Sequence, residues 1–257
     1  LSYIRREQAE TLLGVRRFDC EPDLQRIVDA LARRVPGWRA EPLPMGLSAQ
    51  IVDHPAEARH FDGFASPTDL KGDAETAFLD RVRALPNLTI MTRSPVSTLV
   101  AATDSPKRIV GVKLADGSIV HGRSVLLAAG ALHSPRLLQR FVAERQLAPD
   151  LPCQRAIGAN LKLHLLTAVV AISLARQNDL IRKTTLLLNE SLPHSSVQPL
   201  GFDGELIATL MPKFVPGLVA RFIGARAYGF FLQTEDGAHA DNRVLDAWIG
   251  RDGKPVL

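Results

Sequence analysis

The sequence of 257 residues predicts a mixed α/β (α+β) fold, and three patterns support this prediction. Apolar residues recur at helical spacing over residues 23–34 and 73–85. A β-hairpin, an apolar strand and a helix are predicted in succession over residues 87–145. After Asn160 the apolar segments are short and separated by turns, which is typical of an antiparallel sheet.

The first third of the chain predicts helices and one long loop. Residues 1–35 are predicted to form two helices. The second of them, residues 23–34, has arginines at its C-terminal end, where cations interact favourably with the helix dipole. Residues 36–70 contain five prolines and are predicted to be a loop that covers another part of the molecule. The helix over residues 73–85 is expected to turn one set of side chains inward: Ala74, Ala77, Phe78, Val82 and Leu85.

The segment 87–145 predicts alternating short elements. Residues 87–100 (NLTIMTRSPVSTLV) predict a strand, a break at Ser94-Pro95 and a second strand. Residues 109–114 alternate as in a strand, and Asp116-Gly117 predicts the turn of a hairpin whose return strand begins over residues 118–121.

An apolar strand, Val125 to Ala129, is then predicted, followed by Gly130. Ser134 as N-cap and Pro135 at the first helical position predict the start of a helix. The small residues around the bend let a bulky ligand approach the backbone: Ala128, Ala129, Gly130 and Ala131. Ligands of open parallel sheets bind at this end of the strands, although an ordinary strand–turn–helix connection is an equal interpretation of these residues.

The last third of the chain predicts a meander of strands without helices that cross between them. The predicted strands span residues 165–174, 184–188, 204–211 and 227–234. Residues 212–225 predict either a short helix or an excursion between two strands.

Residues 60–140 resemble the middle of the flavin domain of the glucose–methanol–choline (GMC) oxidoreductase family. The stretches PNLTIMTRSPVSTLV, RIVGVKLADGS and VLLAAGALHSPRLL keep that family's order and spacing, and residues 130–138 match its signature Gly-Ala-x-x-Ser-Pro-x-Leu-Leu. Weaker matches lie at residues 2–15, 61–74, 157–164 and 241–244. Residues 140–143 (RFVA) depart from the Ser-Gly-Ile-Gly segment that usually follows the signature.

The resemblance implies part of an FAD-binding, Rossmann-like domain together with an antiparallel-sheet substrate domain. The implied organisation is a helical and loop cover of the substrate region over residues 1–70, a partial FAD-binding domain over 71–157 and a partial substrate-binding domain over 158–257. The chain starts at Leu1 and stops four residues after a second hairpin signal, Asp252-Gly253, so the interior of a longer protein is expected.

The resemblance also implies a set of FAD-binding residues. The backbone of Val96 would contact adenine, while Ala129, Gly130 and Ala131 would approach the flavin, and His133 would face the cofactor cleft. A plain core position for Val96 and a structural role for His133 are the alternatives. The chain contains no GxGxxG fingerprint, which the resemblance implies upstream of Leu1. The family's catalytic pair, a His with a His or Asn, is expected downstream of Leu257, so no catalytic residue is assigned.

The function implied by the resemblance is that of an FAD-dependent oxidoreductase that acts on the CH–OH group of an alcohol, sugar or polyol and transfers hydride to the flavin. The 257 residues alone are expected to be inactive. Another two-domain flavoprotein and a non-catalytic scaffold that keeps the fold are the alternatives. The expected partner is a small-molecule alcohol or sugar, and the sequence does not identify the electron acceptor.

Composition argues against several other classes of protein. The net charge of +4 is dispersed and aromatic residues make up 5%, so nucleic-acid binding is not predicted. Cys20 and Cys153 lie far apart and no histidine pair has helical i, i+4 spacing, so no metal site is predicted. The longest apolar run, residues 165–175, is too short to span a bilayer. A cytoplasmic location is expected, with the periplasm as the alternative.

Overall fold

A computed structural model describes residues 6–246 of the chain. The signals at residues 2–5 and at Asp252-Gly253 lie outside this part. Within residues 6–246 the helices are α1 (Arg6–Leu12), α2 (Pro22–Arg34), α3 (Pro55–Ala58), α4 (Asp80–Val82), α5 (Gly130–Glu144), α6 (Gly204–Thr209) and α7 (Gly217–Gly224). The strands are β1 (Val15–Arg16), β2 (Trp38–Pro42), β3 (Met45–Gly46), β4 (Val96–Ala101), β5 (Ile109–Leu114), β6 (Ile119–His121), β7 (His164–Ile172), β8 (Thr185–Asn189), β9 (Ser195–Pro199) and β10 (Ala227–Glu235).

The described residues form two compact units. The first contains residues 6–88 and 164–235, and the second contains residues 89–163 and 236–246. Both units combine helices with antiparallel sheets, so the predicted mixed α/β class is confirmed. The bounds of the units differ from those of the three predicted segments, 1–70, 71–157 and 158–257, whose cover, cofactor and substrate roles stay predictions.

The first unit is built on a five-stranded antiparallel sheet. Its strand order is β2-β8-β9-β10-β7, and the longest pairing joins β7 and β10 over nine residues on each strand. Helix α2 packs on this sheet, and its Leu24 is fully buried in one cluster with Tyr228 and Phe230 of β10. The helical spacing of the apolar residues in α2 produces this contact.

Carboxylates tie the N-terminus of α2 to the segment before β8. The Asp179 carboxylate accepts hydrogen bonds from the backbone N–H groups of Asp23 (2.9 Å) and Leu24 (2.7 Å). In return, the Glu21 carboxylate accepts from the N–H groups of Leu180 and Ile181, at 2.6 and 2.5 Å. The two bonds to Asp179 satisfy amide groups that the first turn of α2 would otherwise leave without partners.

The second unit packs α5 against a three-stranded sheet of order β4-β5-β6. Its core contains Leu99 of β4, Phe141 and Val142 of α5, and Leu147. The predicted hairpin is present, since β5 pairs with β6 across a turn in which Gly117 has φ +89°. Only glycine adopts this backbone conformation without strain.

Three strand predictions are wrong. Val125 to Ala129 and residues 87–93 are not in strands, because no strand of the described part pairs with them, and a strand exists only through its partner's hydrogen bonds. Residues 204–211 were predicted as a strand but contain α6. The Asp203 carboxylate caps this helix by accepting from the N–H groups of Glu205 (2.9 Å) and Leu206 (3.2 Å).

Helices also differ from the predictions in their bounds. Helix α5 starts at Gly130 rather than at Ser134, so Ser134 is not its N-cap and Pro135 lies inside the helix. The segment 75–82 is helical as predicted, with a π-helical turn before α4. Of the five side chains expected to turn inward only Ala77 is buried, whereas Ala74, Phe78, Val82 and Leu85 are exposed. The predicted loop 36–70 contains β2, β3 and α3, and the meander contains the unpredicted β9 and α6. Of the two interpretations of residues 212–225, the short helix is the one observed, as α7.

Across residues 6–246 no helix has both the length and the apolar character that a bilayer crossing requires. In the same part of the chain, no group of three or more His, Cys, Asp and Glu side chains is arranged to hold a metal ion.

Candidate cofactor site

A cleft of about 470 Å³ lies in the second unit. Its volume falls in the range of sites that bind small molecules and cofactors. The apolar part of its lining comes from β4, β5 and the extended segment 125–129. The polar part comes from three side chains of α5: His133, Arg136 and Arg140.

Helical spacing brings these three polar side chains together. Residues 133, 136 and 140 are separated by three and four positions, so they lie on one face of α5. The helix follows the extended segment through a bend at Gly130, whose φ of +79° is in the left-handed region. This glycine therefore sets the direction in which α5 leaves the cleft.

The two arginines share a single carboxylate. Arg140 donates from Nη2 and Nε to the two oxygens of Asp246, at 2.9 and 3.2 Å, and from Nη1 to the carbonyl of Ser97, at 3.0 Å. The hydrogen bond to Asp246 raises the pKa of the Arg140 guanidinium. Arg136 is 9% exposed, and its Nε lies 3.6 Å from Asp246 Oδ1 without a hydrogen-bond partner in the described part. Asp246 faces both arginines, and the Glu144 carboxylate also acts on Arg140 electrostatically.

Gln139 holds Asp246 in position. Its side-chain oxygen accepts a hydrogen bond from the Asp246 N–H at 2.9 Å. Its amide nitrogen donates to the carbonyls of Val244 (2.8 Å) and Ile157 (3.0 Å). Position 158 beside these bonds requires a glycine, because a Cβ there would lie only 2.6 Å from the Val244 carbonyl oxygen.

The predicted site residues fall into two groups. Val96, Ala129 and His133 all line the cleft; Val96 begins β4 and is 37% exposed, and His133 is exposed on α5. Gly130 and Ala131 are the first two residues of α5 and are exposed next to the cleft without lining it. A Cβ added at Gly130 would meet no atom of the described residues within 4 Å.

The sequence analysis did not identify Arg136, Arg140, Gln139 or Asp246. The two arginines could be found from the sequence. Arg136 and Arg140 lie three and seven positions after His133, a spacing that places all three side chains on one face of a helix. Asp246 could not be found from spacing, since it lies 106 residues after Arg140. Residues 140–143, where the chain departs from Ser-Gly-Ile-Gly, continue α5 and bury Phe141 and Val142 in the core.

Two features of the cleft suit part of a flavin dinucleotide. Val96, Leu99 and Val112 offer an apolar surface for a planar ring. Arg136 offers a buried guanidinium N–H without a partner, which an anionic oxygen of a diphosphate would satisfy. The residues present therefore fit a part of FAD.

Comparison with known proteins agrees with this chemistry. A family model described as GMC oxidoreductase matches residues 8–166. An oxygen-dependent choline dehydrogenase of Paraburkholderia xenovorans is 39% identical over 101 residues, which are 34% of this chain and 17% of that protein. Enzymes of the same name from Klebsiella pneumoniae subsp. pneumoniae and Escherichia coli O157:H7 are 33% and 32% identical over 119 residues. The matched stretch thus spans about a fifth or less of the length of these relatives.

The family match covers more than half of the chain and includes β4, the extended segment, α5 and hence most of the cleft. The N-terminal domain of this family is an FAD-binding domain of Rossmann-like fold. On this evidence the chain belongs to the GMC oxidoreductase family.

Proposed function

We propose that this chain is part of an FAD-dependent oxidoreductase that acts on the CH–OH group of a small alcohol. The observation that carries the proposal is the cleft in which an apolar wall meets Arg136, whose buried Nε has no hydrogen-bond partner in the described part of the chain. The relatives that are named choline dehydrogenases favour an alcohol over a sugar or polyol as the donor. Bound FAD supplies the acceptor for the hydride.

The residues of the chain have binding and positioning roles in this proposal. The backbone of Val96 contacts the adenine ring, and Ala129, Gly130 and Ala131 pass close to the flavin. Arg136 faces a phosphate oxygen, while His133 lies at the rim of the cleft. The apolar side chains keep water out, which strengthens each of the polar contacts. No residue within 6–246 is assigned the removal of the hydroxyl proton.

Flavin content is the direct test. The purified protein, produced with whatever sequence flanks this chain in its gene, is expected to be yellow and to release flavin absorbance on denaturation. Its second unit should stay folded after the flavin is removed, as judged by the hydrogen exchange of β5. A colourless protein with protected β5 amides would instead support the alternative of a scaffold that keeps the fold without the cofactor.

Substitution of Gly130 separates two reasons for a glycine at this position. Gly130→Ala is strained by the φ of +79°, at a cost of roughly 1–2 kcal/mol, whereas Gly130→Asn tolerates this conformation better. If only the backbone conformation matters, the Asn variant should retain more flavin than the Ala variant. If the flavin passes close to Gly130, both variants should lose flavin, because each adds a Cβ. Full retention by both variants would contradict a role of Gly130 in the cofactor site.

The chain of 257 residues by itself is expected not to oxidise an alcohol when FAD is added. It contains no GxGxxG fingerprint, so the diphosphate lacks the helix N-terminus that usually binds it. Choline turnover by residues 1–257, measured anaerobically as bleaching of added FAD, would overturn this expectation. A commercially pure flavoenzyme of the family assayed in the same buffer is the control for the assay.

A further inference from the structure

A second cleft, of about 430 Å³, lies in the first unit. Four arginines line it: Arg59, Arg176, Arg182 and Arg221. Arg59 follows α3, Arg176 follows β7 and Arg221 belongs to α7, so separate elements bring these cations to one place. This concentration of guanidinium groups is independent of the cofactor cleft, which lies in the other unit.

Arg182 is a buried cation at this cleft. It is only 3% exposed, and it donates to the carbonyls of Ala227 (2.9 Å) and Gln177 (3.1 Å) while its guanidinium lies 5.0 Å from the centre of the Tyr228 ring. Its Nε has no hydrogen-bond partner in the part of the chain that the structure describes. No carboxylate pairs with this guanidinium among the described residues, and a buried N–H without an acceptor is costly, so an anionic ligand in the cleft would lower this cost.

The other three arginines are available to a ligand. Arg59, Arg176 and Arg221 are exposed, and within residues 6–246 their guanidinium groups form neither ion pairs nor hydrogen bonds. Guanidinium groups form charge-assisted hydrogen bonds with phosphate oxygens in a fixed fork geometry, and several of them suit a group that has three acceptor oxygens.

Three carboxylates also line the cleft, and two of them are already engaged. Asp179 accepts from the N-terminus of α2 and from the Tyr228 hydroxyl (3.2 Å), and burial raises the pKa of its carboxyl. Asp203 caps α6. Glu205 is exposed and has no side-chain partner among the described residues. Four arginines outnumber these three acidic groups, and of the three only Glu205 has no hydrogen bond that offsets its charge.

We propose that this cleft binds the phosphate group of a small anionic ligand. Arg182 forms its buried wall, and Arg59, Arg176 and Arg221 close on the phosphate oxygens from the exposed side. Glu205 weakens this binding by repulsion. The site is separate from the one proposed for FAD.

Broadening of the ³¹P resonance of inorganic phosphate, at fixed ionic strength, tests the proposal with the intact chain. The double variant Arg176→Gln/Arg221→Gln is expected to bind phosphate about a hundredfold more weakly, since each of the two lost hydrogen bonds to a charged group contributes roughly a factor of ten. The matched control is Arg33→Gln/Arg81→Gln, which removes two exposed arginines of the same unit that lie outside the cleft. Equal loss in both variants would show that net charge alone attracts phosphate, and would overturn the proposal.

A variant that is expected to bind phosphate more tightly provides a second test. Glu205→Gln removes one of the three carboxylates of the cleft and should strengthen phosphate binding about twofold, a change that lost packing could not produce. Unchanged or weaker binding by this variant would contradict the arrangement.

Competition distinguishes the ligand classes. Acetate at the same ionic strength should compete poorly, and FAD should leave the phosphate resonance broadened. Equal competition by acetate would mean a carboxylate site, and displacement by FAD would mean that the phosphate reports the nucleotide site; either result would overturn the proposal. Because the two clefts are probed by different ligands, failure here leaves the proposed flavin chemistry untouched.

Discussion

At the scale of single residues, Gln139 positions Asp246, the carboxylate that faces both arginines of the cofactor cleft. Gln139→Met keeps the volume but leaves the carbonyl of Val244 and the N–H of Asp246 without partners, while the carbonyl of Ile157 keeps only a long hydrogen bond from Arg243, at 3.4 Å. The free energy of unfolding should fall by roughly 2–4 kcal/mol, measured by urea denaturation. Gln154→Met is the matched control, because Gln154 is also half-buried in this unit and its side chain forms no hydrogen bond in the described part. A similar loss in both variants would contradict the role of Gln139.

Asp179 predicts a dependence of stability on pH. Burial raises its folded pKa above the ordinary value of 3.8, so the folded state binds a proton more tightly than the unfolded state. The contribution of this group to stability is therefore greatest below 3.8 and falls as the pH rises through the folded pKa. Asp179→Asn removes the titrating group. As the pH rises from acid to neutral, the unfolding free energy of the wild type should therefore fall relative to that of the variant. A difference that stays constant over this range would contradict the prediction.

At the scale of elements, local turn and cap chemistry determined how much the sequence could predict. The β5–β6 hairpin was predictable because Asp116-Gly117 supplies its turn within four residues of both strands. The spacing of apolar residues likewise located α2. The segment 125–129 has the composition of a strand, but pairing depends on distant residues, and none of those described pairs with it. Of the cleft, the bend at Gly130 was accessible from the sequence, whereas the contact of Asp246 with α5 depends on tertiary structure.

The misassigned helix α6 yields a prediction at the same scale. Its apolar residues suggested a strand, yet the Asp203 cap satisfies two N–H groups of its first turn. Asp203→Ala should lower the free energy of unfolding by roughly 0.5–2 kcal/mol, while Asp203→Asn should stay close to wild type because Asn also caps helices well. Thermal and urea denaturation of both variants would measure this. If Asn were as damaging as Ala, the carboxylate charge rather than the cap would be responsible.

At the scale of the whole molecule, the two compact units should respond differently to the cofactor. FAD at 100 times its dissociation constant stabilises the state that binds it by about 2.7 kcal/mol, which slows exchange through the opened state about 100-fold. Hydrogen exchange followed by mass spectrometry should therefore slow in β4 and α5, while β10 in the first unit should keep its rate and act as the internal control.

Adenosine diphosphate extends the same experiment to the two halves of the cofactor. If the backbone of Val96 contacts adenine, this nucleotide should protect β4 nearly as well as FAD does. It lacks the flavin, so it should leave the first turn of α5, which includes Gly130 and Ala131, less protected than FAD does. Equal protection of α5 by both ligands would contradict the proposed position of the flavin close to Gly130. Protection confined to residues 164–235 would place the nucleotide in the first unit and contradict the assignment of the cleft.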